Sequence, residues 1–512
     1  MYCTNLLLFV IIYCFSSFHK AAHGSGEKKY NATNAGRRRP ETSQSEFFPK
    51  NDIYVLSDTN LMKKLSHFVR EKVIDRKPFS TGSGAFGFFE CTLPDAHVYS
   101  KAKLFSKVGK RTPIVARLST GPDRNGVAQT VQDDIYGFAI RFYTEDGNWD
   151  LLTMSLPVST FRSPQRSPEA THTFDENPEN NLRDSNAHVD FLTSNAEGLH
   201  SMTLLYSDIG LPQDWRMMTT YSVCGLSLVN KDGKIYHVRF TVKAKQKYKF
   251  MEFETARILR SYIPDYYSRD LYVAIERGKF PEWTLIAQIL TPEISKKLDF
   301  DPFDPTKIWD EKIFPEIHLG RIVLNENPTN WFSQIEQAAM NPGNIVPGIG
   351  PSPDRLQQGR FYLYKDAQRA RLKENHRYWA TNRPIKGQEN PTYRDGTCTS
   401  RKNGGPEPNY YPNSFTSIET YPDNSMKDFP TGNLIHRAET QNSDNYSQVN
   451  QTWSSFGKLQ QKRQARRLSS DLRFAAKEFQ IRLLKHIRLV NEDYCENLRL
   501  ALNITERLCF QA

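Results

Sequence analysis

Cysteine is scarce in this chain: seven residues in 512, with no C-x-x-C pair. That excludes a zinc ribbon, a dithiol redox centre and a disulfide scaffold, all of which need dense or closely paired thiols. Cys495 and Cys509 are near enough in sequence to pair at the C-terminus, and equally able to stay as buried thiols. Long apolar runs are missing too. The run LLLFVIIYCF, ten residues at 6–15, is about half of the roughly 20 that a bilayer span takes, so no stable membrane span is expected. A nucleic-acid groove is not indicated. The net charge of +11 is spread along the chain, and its densest stretches, GEKKYNATNAGRRRP and KLQQKRQARR, read as solvated faces. There are no internal repeats.

What is present divides the chain into five stretches. The apolar run and the small-residue site ending at Gly24 read as a signal peptide over residues 1–24. Its n-region lacks Lys and Arg, which leaves an uncleaved interfacial anchor as the alternative. Sequons at Asn31, Asn445, Asn450 and Asn503 agree with a secreted, extracellular glycoprotein. Residues 25–78 form a polar arm. From 79 to 325 short runs alternate apolar and polar, with a hairpin signal at Lys231-Asp232-Gly233 and a helical stretch EFETARILRSYI. This patterning predicts a β-barrel or sandwich with inserted helices. Between 326 and 440 the pattern dissolves into Pro, Asn, Gly and Tyr, as in a segment that is functional or wraps a partner. Residues 441–512 are helical. There LSSDLRFAAKEFQIRLLKHIRLV reads as one helix, with Leu472, Ala476, Phe479, Leu483 and Ile487 on one face and Ser469 or Ser470 as cap.

One stretch carries chemistry in its spacing. In QQGRFYLYKDAQRARL, Arg360, Tyr364 and Arg371 fall on one face of a helix. An Arg one turn from a Tyr favours the phenolate, a hard oxygen ligand suited to ferric haem iron. A second Arg on that face can pair with a propionate. The same residues also suit an ordinary amphipathic helix.

The wider sequence resembles the haem catalases from about residue 50 to 440. The resemblance is carried, in order, by SGAFGFFE, GKRTPIVARLST, RFYTEDGNWDL, LLYSDIGLP, GKFPEWT, LNENPTNWFSQIEQAAMNPGNIVPGIGPSPDRLQQGR and PNYYPNSF. It implies an α+β catalase fold: an antiparallel β-barrel with inserted helices, a wrapping segment bearing the ligand helix, and a C-terminal helical domain. The length resembles the small-subunit, clade-3-like type, and a homotetramer is implied. So is haem b as cofactor, with hydrogen peroxide as the family's substrate.

Carried over by position, the ligand tyrosine is Tyr364, and Arg360 hydrogen-bonds its oxygen. Arg76, Arg117 and Arg371 hold the propionates. Tyr362 and Leu363 depart from a smaller usual pair, and the bulk of Leu363 is placed to shift the helix. On the other face of the haem the pattern fails. Phe79 stands where the family has its catalytic His, and Met154, with Ser155 beside it, where it has an Asn. Ser119, which supports that His in the family, is retained, and Asp134 matches the channel carboxylate. Ser159 and Ser167 replace phenylalanines of the pocket floor. His200 and Ser207 match members of a nicotinamide site, but Ile209 replaces its phosphate-binding Arg, so NADPH is not expected.

Phe has no proton to exchange and a thioether is a weak acceptor. The expectation is therefore a haem-binding pseudoenzyme, with peroxide turnover strongly reduced or lost. Two readings compete with it. One is an active peroxide-degrading oxidoreductase, with Met154 as a further axial ligand in place of an apolar filler. The other is a haem-free structural or partner-binding scaffold.

Overall fold

The computed structural model describes Gly36, the residue pairs 47–48 and 53–54, and residues 59–121, 133–182, 184–386, 393–397, 399, 403, 405–415, 443–506 and 508–509. The expected signal peptide, the sequon at Asn31 and Cys398 lie outside them. The chain forms two units, residues 1–73 and 74–512. In the first, β1 (Phe47–Phe48) pairs antiparallel with β2 (Ile53–Tyr54), and a helix spans Thr59–Phe68.

The second unit is built on a closed barrel. Its strands are β3 (Gly82–Cys91), β4 (Arg111–Ser119), β5 (Gly137–Thr144), β6 (Gly147–Met154), β7 (Thr220–Tyr221), β9 (Ile235–Ala244), β10 (Glu282–Leu290) and β11 (Ile317–Glu326). They pair antiparallel in the order β10-β11-β3-β4-β5-β6-β7-β9, and β9 returns to β10, so no edge is left open. Two further strands, β8 (Leu226–Val229) and β12 (Ile349–Gly350), extend from β9. The expected hairpin is β8–β9: Gly233 has φ +82°, which the turn requires and Gly supplies without strain. Phe89, Phe138, Phe142, Trp149 and Trp283 fill the interior as edge-on and stacked pairs.

The Pro- and Asn-rich segment after β11 is held by a buried ion pair. Arg141 on β5 and Asp150 on β6 are cross-strand partners, 1% and 0% exposed at their side chains and 2.7 Å apart. Arg141 also donates to the carbonyls of Ala339 and Thr381, at 2.6 and 3.1 Å. Asp150 accepts from Asn341 N and Asn344 Nδ2 at 2.9 and 2.8 Å.

The C-terminal helices are Ser447–Ser455, Lys458–Leu472, Lys477–Val490 and Glu492–Ala501. The single helix read over residues 468–490 is therefore two. The chain leaves the helix at Arg473, and Ala476 is extended (φ −61°, ψ 148°) at the start of the next. The carbonyls freed by the break, of Leu472 and Ala475, accept from Gln480 Nε2 at 3.1 and 2.9 Å. Ala476 N donates to Asn186 Oδ1 at 2.7 Å. Ser469 and Ser470 do not cap; their hydroxyls bond back to the carbonyls of Arg466 and Arg467. Cys495 and Cys509 form a disulfide, while Cys91 and Cys224 are buried free thiols. Among the described residues no helix is long and apolar enough to cross a membrane.

Candidate functional site

The helix Arg355–Leu372 starts at Asp354, whose carboxylate accepts from Gln357 N at 3.0 Å. Gly359 lets it lie against the 160–166 segment, since a Cβ there would fall 2.3 Å from that of Pro164. The face expected from spacing is the face observed. Arg360, Tyr364, Gln368 and Arg371 line one cavity, whereas Tyr362 is 84% exposed on the opposite side. Leu363 also borders the cavity.

The Arg360 guanidinium lies 5.4 Å from the Tyr364 ring centroid and donates to Gln357 Oε1 at 3.1 Å. Burial opposes its charge, but the Tyr364 hydroxyl and the Cys224 thiol beside it outweigh that and raise its pKa. Arg360 is therefore a fixed cation next to a phenol. Burial, reinforced by Asp354, pushes the Cys224 thiol up to about 12, so it stays neutral.

Arg76 and Arg371 converge on Glu336, at 2.9 and 2.7 Å. Glu336 ends a π-helical turn, Phe332–Glu336. Arg76 Nη2 donates to the carbonyls of Ile335, Glu336 and Ala338, and Arg371 also bonds the carbonyls of Ile74 and Glu336. Burial and the neighbouring Arg76 bring Arg371 down to about 10. Arg76 is lowered by burial, against the pull of Glu336.

Opposite the helix stands the end of the barrel. Phe79 has φ +70°, a left-handed conformation rare for a bulky side chain. Arg117 on β4 fixes it, donating to the carbonyls of Phe79 and Ser80 at 2.8 and 2.5 Å, while Phe79 N donates to Gly121 O at 3.1 Å. The Phe79 ring packs over Gly137. A Cβ at Gly137 would meet ring carbons at 3.1 and 3.2 Å and Ser119 Oγ at 2.9 Å. Met154, the last residue of β6, is the cross-strand partner of Gly137 and also lines the cavity. Ser155 turns inward instead, accepting from Tyr136 N at 3.0 Å. Asp134 is engaged by Gly121 N and Ile135 N.

Ser119, Ser159 and Ser167 are at the cavity wall, as are all four arginines, Arg76, Arg117, Arg360 and Arg371. Among the described lining residues none carries an imidazole or a carboxylate. Glu336 answers two of the arginines, Arg76 and Arg371, at the rim of an apolar interior. A flat apolar dianion with an oxygen-seeking metal fits that donor set. These residues suit a haem.

His200 and Ser207 are both engaged within the fold. Ser207 Oγ bonds the carbonyl of Leu204 at 2.7 Å. His200 is buried with Nε2 2.8 Å from Thr452 Oγ1 and Nδ1 3.4 Å from Thr306 O. Burial, aided by Lys307 and opposed by the Thr306 carbonyl, lowers His200 to about 4, against about 6.5 in an unfolded chain. Above both values His200 is neutral in either state and contributes nothing. As pH falls from about 6.5 to 4 the unfolded chain binds the proton first, so stability drops, by about 3 kcal/mol at the lower end. Urea midpoints at pH 7 and pH 4.5 check this: His200→Gln is expected to narrow the difference between them.

Sequence reading missed Glu336 and Cys224. Glu336 lies 260 positions from Arg76, and no local pattern announces such a partner. Cys224, one of seven scattered cysteines, sits in no motif that marks it.

Barrel, ligand helix and arginine-rimmed cavity together define a haem-type oxidoreductase fold. Residues 32–417 match the profile described as catalase, and the chain belongs to the catalase family. It is 38% identical to catalase-2 of Caenorhabditis elegans, over 87% of this chain and 89% of that protein. It is 37% identical to the catalase of Drosophila melanogaster, over 88% and 90%. The solved structure of catalase A from Saccharomyces cerevisiae superposes with a TM-score of 0.88 at 34% identity, covering 94% of this chain and all of that one. The family's reaction is disproportionation of hydrogen peroxide to water and oxygen. Its cofactor is haem, and its usual assembly is a tetramer.

Proposed function

We propose that this chain is an exported catalase-family protein that binds haem b, lacks a nicotinamide cofactor and has lost most or all peroxide turnover. The carrying observation is the cavity wall. Tyr364, Arg360 and three further arginines are in place, but the wall formed by Phe79 and Met154 offers no group that can take a proton from peroxide and return it. In this reading Tyr364 would hold the haem iron through its oxygen, with Arg360 beside it as a fixed cation. Arg76, Arg117 and Arg371 would pair with the propionates, and Phe79 and Met154 would exclude water. The haem supplies the redox-active iron.

Export is supported by the N-terminal apolar run and by the Cys495–Cys509 disulfide, which suits an oxidising compartment. Ile209, partly buried against the C-terminal helices, offers a nicotinamide phosphate no charge. The test is one preparation of secreted protein, with its visible spectrum and its oxygen release from peroxide. A Soret band with little or no oxygen is expected. Vigorous oxygen release removes the loss of turnover, and no Soret band after adding haem removes the cofactor.

A further inference from the structure

The sequons in the described residues differ sharply in what their side chains do. Asn445 is half-buried, and its Oδ1 accepts from Arg162. That arginine is itself buried and paired to Asp304 and Glu197 at 2.6 and 3.1 Å. Asn450 sits inside the helix Ser447–Ser455, half-buried, with Oδ1 accepting from Asn491 Nδ2 at 2.9 Å and Ser454 Oγ at 3.2 Å. The hydroxyl of its sequon, on Thr452, is turned inward to His200 at 2.8 Å.

Asn503 is different. It is exposed in the turn after the helix Glu492–Ala501, at φ +57°, a conformation that Asn tolerates better than most residues. Its backbone is fixed by Asn503 N to Leu500 O and by Ile504 N to Arg499 O, both 3.1 Å. Ile504 is buried, so the turn is anchored between two exposed residues, Asn503 and Thr505. The Cys495–Cys509 disulfide ties the two sides of this turn together.

We propose that, of the three sequons in the described residues, Asn503 is an N-glycan acceptor of the folded protein, and that Asn445 and Asn450 are not. The proposal rests on export. In the transfer, Asn503 Nδ2 forms a bond to the anomeric carbon of a lipid-pyrophosphate-linked oligosaccharide. The bond from that carbon to the pyrophosphate oxygen breaks, and the amide proton leaves with the lipid pyrophosphate. Transfer precedes folding, so the folded state acts as a filter. A glycan on Asn445 or Asn450 has to fit against packed side chains, whereas one on Asn503 projects into solvent.

The full chain is expressed in insect cells, once with its own N-terminus and once behind a replacement cleavable leader. Secreted protein is treated with peptide N-glycosidase in heavy-oxygen water and mapped by mass spectrometry. Conversion to labelled Asp is expected at Asn503 and not at Asn445 or Asn450. Asn503→Gln is expected to abolish the corresponding gel shift without reducing secretion, while Asn445→Gln and Asn450→Gln keep it. Secreted protein with Asn503 unmodified, or with the label at Asn445 or Asn450, overturns the proposal. Export only behind the replacement leader, with Asn503 labelled, removes the export reading and leaves the site standing.

Discussion

Changing Phe79 to His together with Met154 to Asn is expected to raise oxygen release from peroxide by roughly 10²–10⁴-fold over the unmodified protein, the usual yield of a positioned acid–base group. The frame for that imidazole is already built. Position 79 is held in the left-handed region, where His is several-fold better tolerated than Phe. Arg117 fixes its carbonyl, and Ser119 Oγ approaches the same point over Gly137 as the ring does. Phe79→His alone should give most of the gain. Met154→Asn alone should give none, since it adds polarity at the wall without a proton acceptor. Oxygen-electrode rates on preparations matched by Soret absorbance decide the matter. No gain in a double variant that retains full absorbance means that the cavity has changed in some further way.

The second large effect lies away from the cavity wall. Asp150→Ala is expected to cost about 3–5 kcal/mol, because it strands Arg141 as a buried cation. It also leaves Asn341 N and Asn344 Nδ2 without an acceptor. Met340 borders the cavity and sits between Ala339, which Arg141 holds, and Asn341, which Asp150 holds. The variant should therefore bind haem less tightly as well as unfold at lower urea. Replacing both charges, as Arg141→Leu with Asp150→Leu, is expected to cost less than the sum of the single changes, since neither charge is then left alone. Additive single and double costs, measured from urea midpoints, would count against the pair as the anchor.

Much of this molecule can be read from its residues where the cause is local. Alternation gives the barrel strands, Asp-Gly gives the β8–β9 turn, and four- and seven-residue spacing gives the face of the ligand helix. The break between Leu472 and Lys477 could not be read. Its residues contain neither Pro nor Gly, and its periodicity runs straight through. The chain turns there because Asn186 and Gln480 satisfy the open backbone. The cavity divides in the same way. Arg360 and Tyr364 share a helix and were legible from spacing, and Phe79 from its alignment with the family pattern. The union of Arg76, Glu336 and Arg371 needs three distant stretches of chain. So does the Arg117 grip on residues 79 and 80.

That grip separates two properties that usually travel together. Arg117 holds carbonyl oxygens, which every residue has, so its grip on the turn does not require a particular side chain at position 79. Under the proposed function, seating a haem would be a collective property of many residues on several strands and helices. Reactivity toward peroxide would be concentrated in one or two side chains mounted on them. Such an arrangement would let chemistry be switched off, or recovered, with very few substitutions, while losing the seat would require many.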